Sequence, residues 1–155
     1  MVNMTEHEEA TRVTSARRDI LAPAAVIFEL IADPSQQPRW DGNDNLLEAE
    51  PGQRIHGVGQ VFAMTNRGGR VRENHIVEFE EGRLIAWMPA EVGKPPIGQL
   101  WRWELEEVEP SRTRVTHTYD WTQLNDESRL ERARATTSER LMASVDRLAA
   151  LAESS

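Results

Sequence analysis

The stretch DESRLERARATTSERLMASVDRLAALA, residues 126–152, decides the fold. Leu130, Ala133, Thr137, Leu141, Ser144, Leu148 and Leu151 recur at three- and four-residue intervals, the period of one helix face, and arginines and glutamates fill the rest. Asn125 and Asp126 supply an N-cap. Read as one helix, the stretch is ~27 residues and ~40 Å long. A ten-residue strand is ~34 Å long, so a single helix of this length lies along the whole concave face of a strongly twisted sheet.

Working outward, the preceding sequence supplies that sheet. Strand-like runs fall near 44–50, 58–65, 70–80, 83–88, 99–109 and 112–121. They are broken by Pro51-Gly52, Asn66-Arg-Gly68-Gly69, Glu81-Gly82, a proline-rich stretch at 89–98, and Pro110-Ser111. Successive strands joined by short turns imply an antiparallel meander. Before them, Arg12 to Asp19 reads as a first strand. Pro23 opens a helix carrying Val26, Ile27, Leu30 and Ile31, and Asp33 caps a second short helix that begins at Pro34 and ends near Trp40. The fold class is α+β, a seven-stranded, strongly curved antiparallel sheet wrapped around a long C-terminal helix, with two short helices after the first strand. No linker or repeat divides 11–152, which is read as one domain; 1–10 is expected to be a disordered tail and 153–155 a frayed end.

Composition narrows the function classes. At 155 residues the chain can bury about two thirds of its unfolded surface without staples. It has no cysteine, which excludes thiol catalysis and cysteine metal sites and fits a reducing cytoplasm. A formal charge of −8 argues against nucleic acid. Its longest uncharged apolar run, Ile20 to Phe28, is too short to insert into a membrane, and the acidic start is no signal peptide. Seventeen arginines stand against the single Lys94, a bias that reads as bacterial codon usage. The histidines at 7, 56, 75 and 117 have no close ligand spacing, so neither a metal nor any other cofactor is expected. Neither a dinucleotide loop nor a nucleophile elbow is present.

The order of elements, together with Ala22-Pro23, Ile27-Phe28, Ile31-Ala32-Asp33-Pro34, Trp40, Ile76-Val-Glu-Phe79, Leu84-Ile-Ala-Trp87 and Thr113-Arg-Val-Thr116, resembles the START-like, birch-pollen-allergen-like superfamily. Within it the likeness is to the polyketide cyclase/dehydrase and lipid-transport group. The resemblance implies a helix-grip fold with a cavity between the sheet and the last helix that holds a hydrophobic small molecule. It does not imply a reaction.

Strand alternation assigns the faces. Val115, His117, Tyr119 and Trp121 share one face of the last strand; Trp101, Trp103 and Leu105 share a face of the strand before it. Val71, Glu73, His75, Val77 and Phe79 are read as the inward face of the 70–80 strand, and Phe62 and Met64 as inward on their own. Four polar side chains therefore point inward: Glu73, His75, His117 and Tyr119. A carboxylate two residues from an imidazole on one face is one arrangement of a general base, so Glu73 and His75 are the candidate catalytic pair. His117 and Tyr119, with apolar walls from Phe62, Met64, Phe79, Trp101, Trp103 and Leu141, are the candidate ligand-binding set. Lys94, in the 89–98 loop, reads as solvated, and that loop is expected at the cavity rim.

Three functions stay open at this stage. The first is a cytoplasmic binding module for an aromatic, polyketide-like or lipid ligand. The second is a cyclase/dehydratase in which His75, held by Glu73, abstracts a proton beside a carbonyl. The third is a protein-interaction domain resembling activators of the heat-shock protein 90 ATPase, which requires exposed apolar patches. The mostly Arg, Glu and Thr outer positions rank it last. Oligomeric state is not legible.

Overall fold

Alternating apolar and polar side chains form seven strands in the structure, a computed structural model that describes residues 12–154. They are β1 (Val13–Ile20), β2 (Leu46–Glu48), β3 (Val61–Asn66), β4 (Val71–Glu80), β5 (Leu84–Glu91), β6 (Leu100–Glu109) and β7 (Arg112–Asp120). All neighbours are antiparallel, and the order β1-β7-β6-β5-β4-β3-β2 is a meander whose first strand closes against its last. The expected tail at 1–10 lies outside the described residues.

Between β1 and β2 lie α1 (Ala24–Ala32), a tight turn at Pro34–Gln36, and α2 (Gln37–Trp40). The sequence cues act as read: Pro23 precedes α1, and the Asp33 carboxylate accepts from the Ser35 N–H at 3.1 Å. Ile27, Phe28, Ile31 and Ala32 of α1 are buried. One cluster of buried apolar side chains runs from Ala16 to Ala152, and the assembly is the helix-grip fold.

The C-terminal segment departs from the expectation of one helix. It is two: α3 (Glu127–Arg134) and α4 (Ser138–Glu153). Thr137, counted above as one more helix-face residue, is instead the N-cap of α4, its hydroxyl accepting from the Arg140 N–H at 3.4 Å. Thr136 donates its hydroxyl to the Arg132 carbonyl at 3.1 Å. Threonine hydroxyls compete for backbone groups in this way, which favours caps over helix interiors. Of the end expected to fray, Ser155 lies outside the described residues. Glu153 is helical, and its carboxylate accepts from the Leu21 N–H at 2.8 Å.

α4 alone fills the grip. Leu141, Val145, Leu148 and Ala152 repeat along its buried face, with Ser144 and Ala149 beside them. Gly42, just after α2, lets the chain touch this helix: a Cβ there would lie 2.4 Å from the Ala143 carbonyl carbon. Its N–H donates to Ser144 Oγ at 3.0 Å.

The 70–80 strand corrects the assignment of faces. Its pairing with β5 shifts between Ile76 and Glu78, a β-bulge at Val77. One extra residue reverses the alternation on either side of it. Arg72, Asn74 and Ile76 therefore face inward before the bulge and Phe79 after it; Asn74 lies opposite Phe62, and Arg72 opposite Met64. Glu73 and His75 are carried to the outer face.

Candidate functional site

A cavity of about 240 Å³ lies between the sheet and the C-terminal segment. Its floor is a ladder of cross-strand pairs. Trp87 lies opposite Trp101, and Trp101 opposite Tyr119; Trp103 lies opposite His117. Directly opposed residues share a face, so these side chains meet. The Trp101 and Tyr119 rings stack at 4.2 Å between centroids, Trp103 and His117 at 3.7 Å. Trp40 closes edge-on against Trp103 at 5.1 Å, its indole N–H fixed to the Leu30 carbonyl at 2.7 Å.

The polar atoms of this floor have definite roles. His117 Nδ1 lies 3.0 Å from the Arg102 carbonyl oxygen. A carbonyl only accepts, so Nδ1 carries the proton and Nε2 the lone pair. Burial pushes the His117 pKa down to about 4, opposed in part by that hydrogen bond, so the ring is neutral at pH 7 and is an acceptor at Nε2. Tyr119 Oη accepts from Gln99 Nε2 at 3.0 Å, and burial raises its pKa, keeping the phenol protonated. The Trp103 indole N–H is fully buried and has no hydrogen-bond partner among the described residues. A buried donor left unpaired is costly, and this one belongs to a residue that lines the cavity.

Above the floor, Leu141 and Ser144 of α4 form one side. Ala135 and Thr136, at the break between α3 and α4, also line the cavity. The Asp41 carboxylate lies at the rim and is satisfied by the backbone N–H groups of Asn43, Asn45 and Leu46, at 3.1, 2.6 and 2.7 Å. The rim also carries Arg72, Arg129, Arg132 and Arg140.

Six of the sequence-predicted residues are brought together here: Met64, Trp101, Trp103, His117, Tyr119 and Leu141. Phe62 and Phe79 are not part of the lining. Phe62 packs edge-on against Trp87 at 5.4 Å, and Phe79 against Phe28 at 5.9 Å. Glu73 and His75 are not brought to the cavity. The Glu73 carboxylate accepts from the Gly93 N–H at 2.7 Å, and His75 Nε2 is buried without a hydrogen-bond partner among the described residues. The bulge is the reason, since it turns both to the sheet's other side. Sequence reasoning missed the rim arginines, Asn74 and Gln37. The arginines of 126–152 read as a solvated helix face, and the inward turn of Arg72 and Asn74 was hidden by the bulge. A signal for it existed: Ile76 and Phe79, both strongly apolar, stand three apart, which no regular strand places on one face.

Strand β5 runs to Glu91, so the proline-rich loop is shorter than expected, 92–99. Of it, Gln99 reaches the cavity lining. Among the described residues no cluster of His, Asp or Glu has the makings of a metal site, and no helix is long and apolar enough to cross a membrane.

Comparison with known proteins places this geometry. The family model described as polyketide cyclase / dehydrase and lipid transport matches residues 11–153. An uncharacterised protein of Mycobacterium tuberculosis is 26% identical over 132 residues, covering 78% of this chain and 53% of that protein. The chain thus spans about half the length of the curated relatives it matches. Among solved structures, an aromatase/cyclase from Streptomyces sp. R1128 has the same fold, with a TM-score of 0.64 at 17% identity over 92% of this chain and 93% of that one. So does the Aha1 dimer from Colwellia psychrerythraea, with a TM-score of 0.57 at 19% identity over 88% and 95%. At these identities the likeness is one of fold.

Proposed function

The chain belongs to the polyketide cyclase / dehydrase and lipid transport family, and we propose that its task is to bind a small, flat, hydrophobic molecule in the cavity over Trp101 and Trp103. The observation that carries this reading is the aromatic floor, where two stacked pairs leave indole, imidazole and phenol groups lining one space. Ligand sites generally pair apolar walls with a few placed polar groups, and aromatic faces favour offset-stacked rings. An apolar cavity of roughly 150 Å³ accommodates benzene, so a space of about 240 Å³ suits two fused rings or one substituted ring rather than a long acyl chain. The unpaired Trp103 N–H and the His117 Nε2 lone pair fit a ligand with one acceptor and one donor at its inner end.

The cyclase/dehydratase reading through His75 and Glu73 gains nothing from this geometry, because neither residue lines the cavity. The protein-interaction reading gains little: the exposed large apolar side chains of the described residues are valines and leucines, such as Leu21, Val58 and Val92, with no aromatic among them.

The test is native mass spectrometry of freshly purified protein, followed by a thermal-shift screen of bicyclic aromatics, flavonoids, sterols and fatty acids. A ligand at a hundred times its Kd stabilises by about 2.7 kcal/mol, a shift of several degrees. Bicyclic aromatics are expected to stabilise the protein, and to lose that effect in Trp101→Ala, while fatty acids do not. A screen in which no ring compound binds would overturn the reading, and a bound compound recovered dehydrated or cyclised would replace it with the enzyme reading.

A further inference from the structure

The chain carries a net charge of −8, yet four arginines line one cavity. Several arginines elsewhere are neutralised by carboxylates: Arg54 pairs with Glu29 and Glu81, Arg102 with Glu78, Arg114 with Asp19. At the rim the account does not balance. Arg72, Arg132 and Arg140 have no side-chain hydrogen bond or ion pair among the described residues, and Arg129 reaches only Glu91, at 3.7 Å. Glu91 is itself held by Lys94 at 2.9 Å. Glu91 does not line the cavity; the carboxylate that does, Asp41, is engaged with three backbone N–H groups. Burial, together with the positive charges of Arg129, Arg70 and Arg132, disfavours the charged form of Arg72, with Glu91 opposing them in part. Arginine nonetheless stays protonated in proteins, so like charges are held together with Glu91, already shared with Lys94, as the counter-charge set against them.

We propose that this rim is an oxyanion subsite: Arg72, Arg129 and Arg132 hold the carboxylate or phosphate of an amphiphilic ligand whose ring lies on Trp101 and Trp103. The proposal rests on the ring-binding reading above and gives it a direction, with the ring inward and the anion at the mouth. Three donors from two elements, β4 and α3, suit an oxyanion, since guanidinium groups match carboxylate and phosphate geometry with paired N–H donors. They also make α3 dependent on the ligand, because an anion bridging Arg72 to Arg129 and Arg132 would tie that helix to the sheet.

The test compares 2-naphthoate, 2-naphthyl phosphate and the neutral 2-naphthamide, with binding followed by quenching of tryptophan fluorescence and by calorimetry. At low salt one or both anions are expected to bind at least tenfold more tightly than the amide. That advantage should shrink in about half-molar salt. The tighter anion identifies the source, carboxylate or phosphate. In the double variant Arg72→Gln/Arg132→Gln the advantage is expected to vanish while amide affinity holds, which also shows that the variant is folded. Equal affinity of anions and amide in the wild-type protein would overturn the subsite and leave the ring reading standing. Failure of all three to bind would overturn both. The salt dependence in the wild-type protein decides the matter should the double variant not fold.

Discussion

α3 and α4 are consecutive helices, both amphipathic and both capped by a side chain, Asp126 in one and Thr137 in the other. They are used differently. α4 buries Leu141, Ser144, Val145, Leu148, Ala149 and Ala152 against the sheet, whereas α3 buries Ala133 alone. α4 presents hydrocarbon to β1 and β7, and α3 presents Arg129 and Arg132 to a cavity. The difference shows how one helical period can serve as core or as cover. What decides is whether the inward side chains are short and apolar, and so drive burial, or long and charged, and so need a partner.

Truncation should separate the two most strongly. Leu148 is fully buried, and Leu148→Ala is expected to cost about 2–5 kcal/mol in urea unfolding. Leu130→Ala, on the half-buried face of α3, is expected to cost less than about 1 kcal/mol. Comparable losses would mean that α3 belongs to the core.

Acid should act on the floor rather than on the cover. The folded pKa of His117 lies near 4 against an ordinary 6.5, so between those values the unfolded chain binds the proton and the folded chain does not. Stability is therefore full above about pH 6.5, falls as the pH drops toward 4, and loses on the order of 3 kcal/mol by then. The carboxylates held low by arginine partners, Glu29 and Glu78, contribute a further loss only below about pH 4.5. In His117→Gln the slope between pH 6.5 and 4.5 is expected to flatten; an unchanged slope would place the titrating group elsewhere.

The smallest effect concerns the join. Thr137→Ala removes the α4 cap and is expected to cost about 1 kcal/mol. Amide exchange should quicken first in residues 127–137, while the Leu141–Ala149 amides hold. Uniform quickening along both helices would show that they open as one.

The strands and their order were legible because turn chemistry and alternation reinforce each other. Trp101, Trp103, His117 and Tyr119 share one face, as alternation predicts, because no bulge interrupts their pairing with one another. Two features escaped for physical reasons. Thr136 and Thr137 fit the helical period, and period carries no information about where a hydroxyl will bond. Glu73 and His75 fit an inward alternation only while β4 is taken as regular, and a bulge changes the phase without changing composition. The arginines were misread for a third reason: charge on a helix face usually means solvent, and only the positions of other chain segments reveal a cavity beneath it.

The bulge at Val77 behaves like a reading frame laid out in space. With β5 holding the far end of β4, it selects which of two interleaved sets faces the cavity, either Arg72 with Asn74 or Glu73 with His75. Loss of one residue there exchanges a cationic lining for a carboxylate–imidazole one, with no side chain rewritten. On such a scaffold the shortest evolutionary path between holding an anion and moving a proton is a change in strand length, and a substitution would be the longer route.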